Sequence, residues 1–372
     1  ANKQKQSLEL GYPDEFKAFL PRGWNDFAQI DATLSYDLDL WGKNRAALAA
    51  ATSEAEAARV DAAQARLMLT TGIATAYADL AGYYADLDVA QDAIRIRGAS
   101  ADLSAKRTAA GLDNQATQRQ AESRAASARG DVAAIEEAIA LTRNRLAALL
   151  GAGPDRGRTI ARPALAAPSL ALPPQAGIDL VGRRPDIVAA RLRAEAAAKR
   201  IDVARAAFYP NINLSALVGL QSLGLSNLFK TGSEYGNGGA AISLPIFEGG
   251  RLQGQYRGAR ADYDGAVANY DRTLVAALRD VADIVASRDA IARQLADRRD
   301  ALKAAADAAN LAGMRYRAGL SNQLAQLTAE DSQVALARAV ADLEARQLSL
   351  DIALIRALGG GFTAASPTGD KQ

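Results

Sequence analysis

Asp31, Asp37 and Asp39 fall at odd positions of the run Phe27–Trp41, and Asn211, Asn213 and Ser215 fall at odd positions of Phe208–Gln221. Short carboxylates, amides and hydroxyls at every second residue line one face of an extended strand with water-seeking groups. What they offer is solvation of a wetted surface. The chain has no histidine and no cysteine, which removes cysteine nucleophiles, thiolate and imidazole metal sites and histidine-dependent triads in one step. Two-carboxylate and Ser/Lys chemistry stay open on residue type alone. A net charge of +2 is too balanced to point to nucleic acid. No catalytic residue, metal ligand or cofactor is assigned.

The opposite faces of these strands are apolar. Ala28, Ile30, Ala32, Leu34, Tyr36, Leu38 and Leu40 alternate with the polar set of the first run, and Ile212, Leu214, Ala216, Val218 and Leu220 with that of the second. Ala240, Ile242, Leu244 and Ile246 mark a third strand, and Gln4–Leu8 hints at a fourth whose partner begins near Phe27. The uncharged run Ala206–Phe229 holds a proline, two asparagines and strict alternation, so it reads as strand and not as a membrane helix. Such strands fit a membrane β-barrel, and a soluble antiparallel sheet with one wet face fits the alternation equally. Four strands cannot close a barrel in lipid, so a barrel here requires other copies: three protomers would supply twelve strands. The segments Glu9–Asp26 and Ser222–Gly238 are expected as rim loops.

Long helices must carry these strands. Alanine is abundant and aromatics make up only 5% of the chain, which suits closely packed helices. From Gly250 to Ala312 one seam reads Tyr256, Tyr263, Tyr270, Ala277, Ile284, Ile291, and another Val267, Leu274, Val281, Arg288, Leu295, Leu302. This is the heptad pattern of supercoiling helices. The run Lys43–Ala105 has no proline and would span about 90 Å as a helix. Three ordered matches (Leu38–Arg45 with Leu244–Arg251, Lys106–Leu112 with Met314–Leu320, Leu149–Gly151 with Ala357–Gly359) point to a tandem duplication. The expected division is repeat 1 over 1–151, a Pro/Ala-rich linker over 152–178, repeat 2 over 179–358 and a tail over 359–372. A helix is expected to open at Arg184-Pro185-Asp186. Residues Ala1–Gln6 are polar and carry no apolar targeting core, so the protein is either cytosolic or the chain begins after an export signal.

The junctions Tyr36–Lys43 and Leu244–Gly250 resemble the paired strand-to-helix junctions of TolC-like outer-membrane efflux proteins of the NodT lipoprotein type. Arg183–Ile187, Ala206–Pro210 with Ile212 and Leu214, Arg315–Gly319 and Ala357–Phe362 resemble that family in the same order, so the likeness covers nearly the whole chain. It implies a mostly α fold with membrane strands: a homotrimer with one twelve-stranded β-barrel in the outer membrane, continued by an α-helical barrel into the periplasm. Against that pattern the chain begins inside the first strand, without signal peptide, lipidated cysteine or first helix.

The resemblance further implies a passive duct that is no enzyme, serving a periplasmic adaptor (membrane fusion protein) and an inner-membrane RND-type pump and bordered by outer-membrane lipid. Asp31, Asp37, Asp39, Asn211, Asn213 and Ser215 would face the lumen, and Gly111, Leu112, Gly319 and Leu320 would form the periplasmic tip that meets the adaptor. Relatives often place acids shortly after the second tip glycine. Here Gly319–Thr328 holds none, so Leu324 and Thr328, with Thr117 in the first repeat, become the gate candidates. A periplasmic adaptor or a soluble coiled-coil scaffold would also use long helical hairpins, but neither accounts for amphipathic strands on both sides of a hairpin.

Overall fold

A computed structural model of the chain describes residues 2–5, 13, 15, 22–163 and 183–363. They form two units, one from Ala1–Ala55 with Leu192–Ala268 and one from Glu56–Arg191 with Asn269–Gln372. The fold is mostly helical with one small sheet.

The first unit holds the sheet. Strands β1 (Asn2–Lys5), β2 (Trp24–Leu38), β3 (Asn211–Leu223) and β4 (Glu234–Ser243) are antiparallel and lie in that order. β1 pairs Asn2 with Phe27, the neighbour expected from sequence; Gln6–Leu8 and most of the loop expected over Glu9–Asp26 lie outside the described residues.

Strand ends differ from the expectation in ways that the local chemistry explains. β2 stops at Leu38 and not at Trp41, because the Asp39 carboxylate accepts the backbone N–H groups of Asn44 and Arg45, both at 2.9 Å, and so starts helix α1 (Lys43–Ala109). β3 begins only after Pro210, whose nitrogen has no hydrogen to give a ladder. β4 spans Glu234–Ser243 and stops ahead of Pro245, whose nitrogen has no hydrogen for a ladder, so Leu244 and Ile246 lie beyond the strand; the rim loop expected over Ser222–Gly238 contracts to residues 224–233.

α1 is followed by α2 (Gln115–Leu149), the short α3 (Pro154–Arg158) and α4 (Pro185–Ala206); α5 (Arg251–Arg317) and α6 (Gln323–Ala357) follow β4. Helices make up the second unit and the rest of the first, since α4 lies mostly in the first unit and α1 and α5 begin there. α5 and α6 repeat the lengths of α1 and α2, 67 and 35 residues. The heptad seam of α5 is where burial falls: Ala277, Ile284, Ile291 and Leu295 are buried, and Arg288 reaches buried Asp351 of α6 at 2.9 Å. Ala76, Leu80, Ala90, Ile135, Ile139 and Leu146 form the main cluster between α1 and α2. Gly82 permits the close approach of α1 to α6, since a Cβ there would stand 2.7 Å from the Ala345 Cβ.

The expected linker is partly structured. Gly157 lies against the Arg143 carbonyl, where a Cβ would come within 2.8 Å, and Arg143 donates to the Ile160 carbonyl at 2.8 Å. Arg162 pairs with Asp88 and sits 5.1 Å from the Tyr84 ring centre. Residues 164–178 of the linker and 364–372 of the tail lie outside the described residues.

Candidate functional site

Two places collect the polar side chains singled out above, one in each unit. On the sheet, register puts Asp37 opposite Asn213, Ser35 opposite Ser215 and Asp31 opposite Gly219, so these groups share one face. The Asp37 carboxylate accepts from Asn213 Nδ2 at 2.7 Å and from Asn211 Nδ2 at 3.4 Å, and Asn213 also donates to Ser35 Oγ at 3.0 Å. Gln29 donates to Asp31 Oδ1 at 3.0 Å. Leu34, Val218, Leu214, Ile30 and Ile242 are exposed on the opposite face.

Asp39 does not belong with that wetted face. It lies past the end of β2, and its carboxyl is held below the usual carboxylate range by the N–H groups of Asn44 and Arg45. Beside it Trp41 stacks on Tyr209 with ring centres 4.7 Å apart and donates Nε1–H to the Pro210 carbonyl at 2.9 Å.

In the helical unit, α1 and α5 each end in a glycine turn. Gly111 (φ 68°) and Gly319 (φ 73°) take the left-handed conformation that L side chains resist. Leu112 and Leu320 donate their N–H groups back to Arg107 and Arg315 at 2.8 Å, closing the helix ends. The chain then re-enters a helix through an asparagine cap: Asn114 accepts from the Thr117 N–H at 2.9 Å, and Asn322 from the Ala325 N–H at 3.1 Å. Leu112 and Leu320 are left 65% and 72% exposed.

Three residues that the sequence reading did not select hold this end together. Tyr316 is 1% exposed, and its hydroxyl donates to Asp113 Oδ2 at 3.0 Å. Arg107 donates Nε–H to the same oxygen at 2.8 Å, with its guanidinium 4.6 Å from the Tyr316 ring centre. Burial, then the bond to Asp113, push the Tyr316 phenol up to about 12. Tyr316 beside a turn glycine and Asp113 just past the other were the available signals.

Thr117 and Leu324 lie in the first turns of α2 and α6 and Thr328 in the second turn of α6, and the two threonine hydroxyls act locally. Thr117 Oγ1 donates to its own cap Asn114 at 3.0 Å, and Thr328 Oγ1 donates to the Leu324 carbonyl at 2.8 Å. Leu324 is half exposed beside a shallow groove with Ala305, Ala308 and Ala325. The next acids along α6 turn inward. Glu330 is buried and accepts from Ser100 Oγ at 2.8 Å and Gln326 Nε2 at 2.8 Å, while Asp331 meets Arg97 at 3.0 Å and Arg124 at 2.7 Å. Among the described residues no helix is long and apolar enough to cross a membrane, and no acid cluster could hold a metal ion.

The chain is similar to known proteins over most of its length. The family model described as outer membrane efflux protein matches residues 4–152 and 179–360. The fusaric acid resistance protein FusA of Burkholderia cepacia is 44% identical over 243 residues, which are 64% of this chain and 45% of FusA. The multidrug resistance outer membrane protein MdtP of Escherichia coli O6:H1 is 31% identical over 91% of this chain and 69% of its own length. Among solved structures, the outer membrane protein VceC of Vibrio cholerae superposes with a TM-score of 0.89 at 43% identity, covering 97% of this chain and 85% of VceC.

Proposed function

The chain belongs to the outer membrane efflux protein family, and from that premise we propose that it is the passive exit duct of a tripartite efflux system. It resides in the outer membrane and extends into the periplasm. The carrying observation is the sheet: exposed apolar side chains on one face, a hydrogen-bonded polar face on the other, and edges at β1 and β4 that no other strand among the described residues pairs. Open edges are forbidden in lipid because their backbone groups lack partners. Three copies supply the twelve strands that close the barrel, lipid outside and water within, with Asp31, Asp37, Asn211, Asn213 and Ser215 toward the lumen.

In this reading the two hairpins of matched length are repeats of one duplicated unit, and they form the wall of the periplasmic duct. The tips at Gly111-Leu112 and Gly319-Leu320 receive the periplasmic adaptor, and an inner-membrane RND-type pump supplies the energy. Leu324, with Thr117 and Thr328, narrows the resting aperture by packing, since Glu330 and Asp331 are engaged between helices. The cargo is small organic molecules or ions, supported by relatives named for resistance to fusaric acid and to multiple drugs.

The test is the mass of the detergent-extracted full-length protein together with its conductance in planar bilayers. A conducting trimer is expected. A monomer with a closed barrel, or a protein soluble without detergent, sinks the proposal.

A further inference from the structure

The basic residues of the first unit begin where its strands stop. No Lys or Arg occurs from Trp24 to Gly42, from Ala206 to Phe229 or from Thr231 to Gly250, whereas Lys43, Arg45, Arg205 and Arg251 stand at or close to the ends of these runs, on the helix side. Arg205 has an ordinary explanation, because a cation in the last turn of α4 complements the negative end of the helix dipole. The others do not. Lys43, Arg45 and Arg251 fall in the first turns of α1 and α5, where the dipole is positive, and neither first turn holds an acid. Arg45 meets Asp39 and Arg251 meets Glu248, but both arginines are exposed and such screened pairs offset little.

One groove collects cations from this level beside two aromatic rings. It has a volume of about 580 Å³ and runs between the start of α1 and the end of α4, lined by Trp41, Arg45, Lys199, Arg205 and Tyr209 among others. Asp202, the one acid among its described lining residues, meets Lys199 at 4.0 Å, so three cations face one carboxylate. Arg205 also hydrogen-bonds with Tyr256. The stacked rings of Trp41 and Tyr209 are half exposed, and the indole N–H is spent on the Pro210 carbonyl, so the indole offers the groove apolar surface. A second groove, along another side of α4, takes in Asn211 and Ser243 from the sheet's polar face. The groove with Arg45 and Lys199 takes in no residue of that face.

We propose that this groove binds the phosphodiester headgroup of an anionic glycerophospholipid in the periplasmic leaflet. The inference rests on the exit-duct reading, which puts the apolar face of the sheet in lipid, and adds a site of named residues at the helix-side edge of that face. The phosphate sits among Arg45, Lys199 and Arg205, whose N–H groups make charge-assisted bonds to its oxygens. The glycerol and the first methylenes lie on the Trp41–Tyr209 pair. Rings and long basic side chains suit that depth, since each keeps a polar tip among headgroups and an apolar body toward the acyl chains. The excess of cations selects an anionic headgroup over a zwitterionic one, whose ammonium would meet Lys and Arg.

Trp24 and Trp41 are the two tryptophans of this chain, so Trp24→Phe leaves Trp41 as its reporter. Emission of Trp41 is taken as the difference from the Trp24→Phe/Trp41→Phe variant. The full-length trimer is reconstituted in phosphatidylcholine vesicles with rising fractions of acyl-brominated phosphatidylglycerol or acyl-brominated phosphatidylcholine. Half-quenching by the anionic lipid is expected at a mole fraction at least ~3-fold lower. Lys199→Gln should weaken that preference, and Lys199→Gln/Arg205→Gln should abolish it with trimer mass and melting temperature unchanged. The single variant keeps the contact between Arg205 and Tyr256 and decides the matter should the double variant not fold. Equal quenching by both lipids, a preference that the variants leave intact, or Trp41 emission that neither lipid quenches overturns the proposal. So does loss of the preference in millimolar inorganic phosphate, which would assign a soluble anion instead. A sample that is not a conducting trimer before the titration removes the exit-duct reading itself, whereas a conducting trimer without lipid preference removes only the headgroup site.

Discussion

Tyr316 and Asp113 lie 203 residues apart, yet the phenolic hydroxyl of one donates to the carboxylate of the other at 3.0 Å. The bond ties the end of α5 to the turn between α1 and α2, so the two hairpins are joined at their tips as well as along their lengths.

Replacing Tyr316 with Phe should keep the ring under Arg107 and remove this bond. The expected loss is about 1–2 kcal/mol, read from urea unfolding of the full-length protein in detergent. The raised phenol also sets a pH dependence. Its neutral form is favoured in the folded state, so the contribution is full below pH 10.0 and disappears as pH rises through about 12. The Phe variant should lack that alkaline loss; an identical alkaline profile would count against the link.

On the exit-duct proposal, Leu324→Ser should raise single-channel conductance in planar bilayers, because the apolar side chain assigned to the resting aperture would be replaced by a small wetted one. Conductance should change little between about pH 4 and 7, since residues 319–329 contain no carboxylate. A steep change in that interval would place Glu330 or Asp331 in the conducting path.

Val218 lies opposite Ala32 and Gly236, near the middle of the sheet's apolar face, whereas Leu214 lies opposite Tyr36 nearer the helices. Val218→Arg should cost roughly 2–4 kcal/mol and Leu214→Arg less, while Asn213→Arg is tolerated. Reconstituted folding yields in lipid vesicles rank the three. An Asn213→Arg variant that folds worse than Val218→Arg would reverse the two faces.

Asp39→Ala should lower the melting temperature at neutral pH, through the loss of the α1 cap. The carboxyl is held low in the folded state, so its contribution is present above the unfolded carboxylate range and is lost as pH falls through the depressed folded value. The difference between the parent and Asp39→Ala should therefore shrink in acid, as scanning calorimetry at several pH values can show.

The sequence by itself determined the types and order of the main elements. Period-two alternation marked β2 and β3, and the heptad seam from Tyr256 to Ile291 marked α5, because side-chain periodicity follows backbone geometry residue by residue. Gly111 and Gly319 declared the turns for the same local reason. Tertiary structure alone decided how polar residues were used. Asp39 continued the odd-numbered pattern of β2 by position, but the start of α1 claimed it as a cap. Glu330 and Asp331 are ordinary acids in a helical sequence, and only the approach of α1 and α2 turned them inward to Ser100, Arg97 and Arg124. The tip cluster was illegible for the same reason. Arg107, Asp113 and Tyr316 belong to segments far apart in the chain, and a hydrogen bond over 2.8–3.0 Å exists only once packing has brought its partners together.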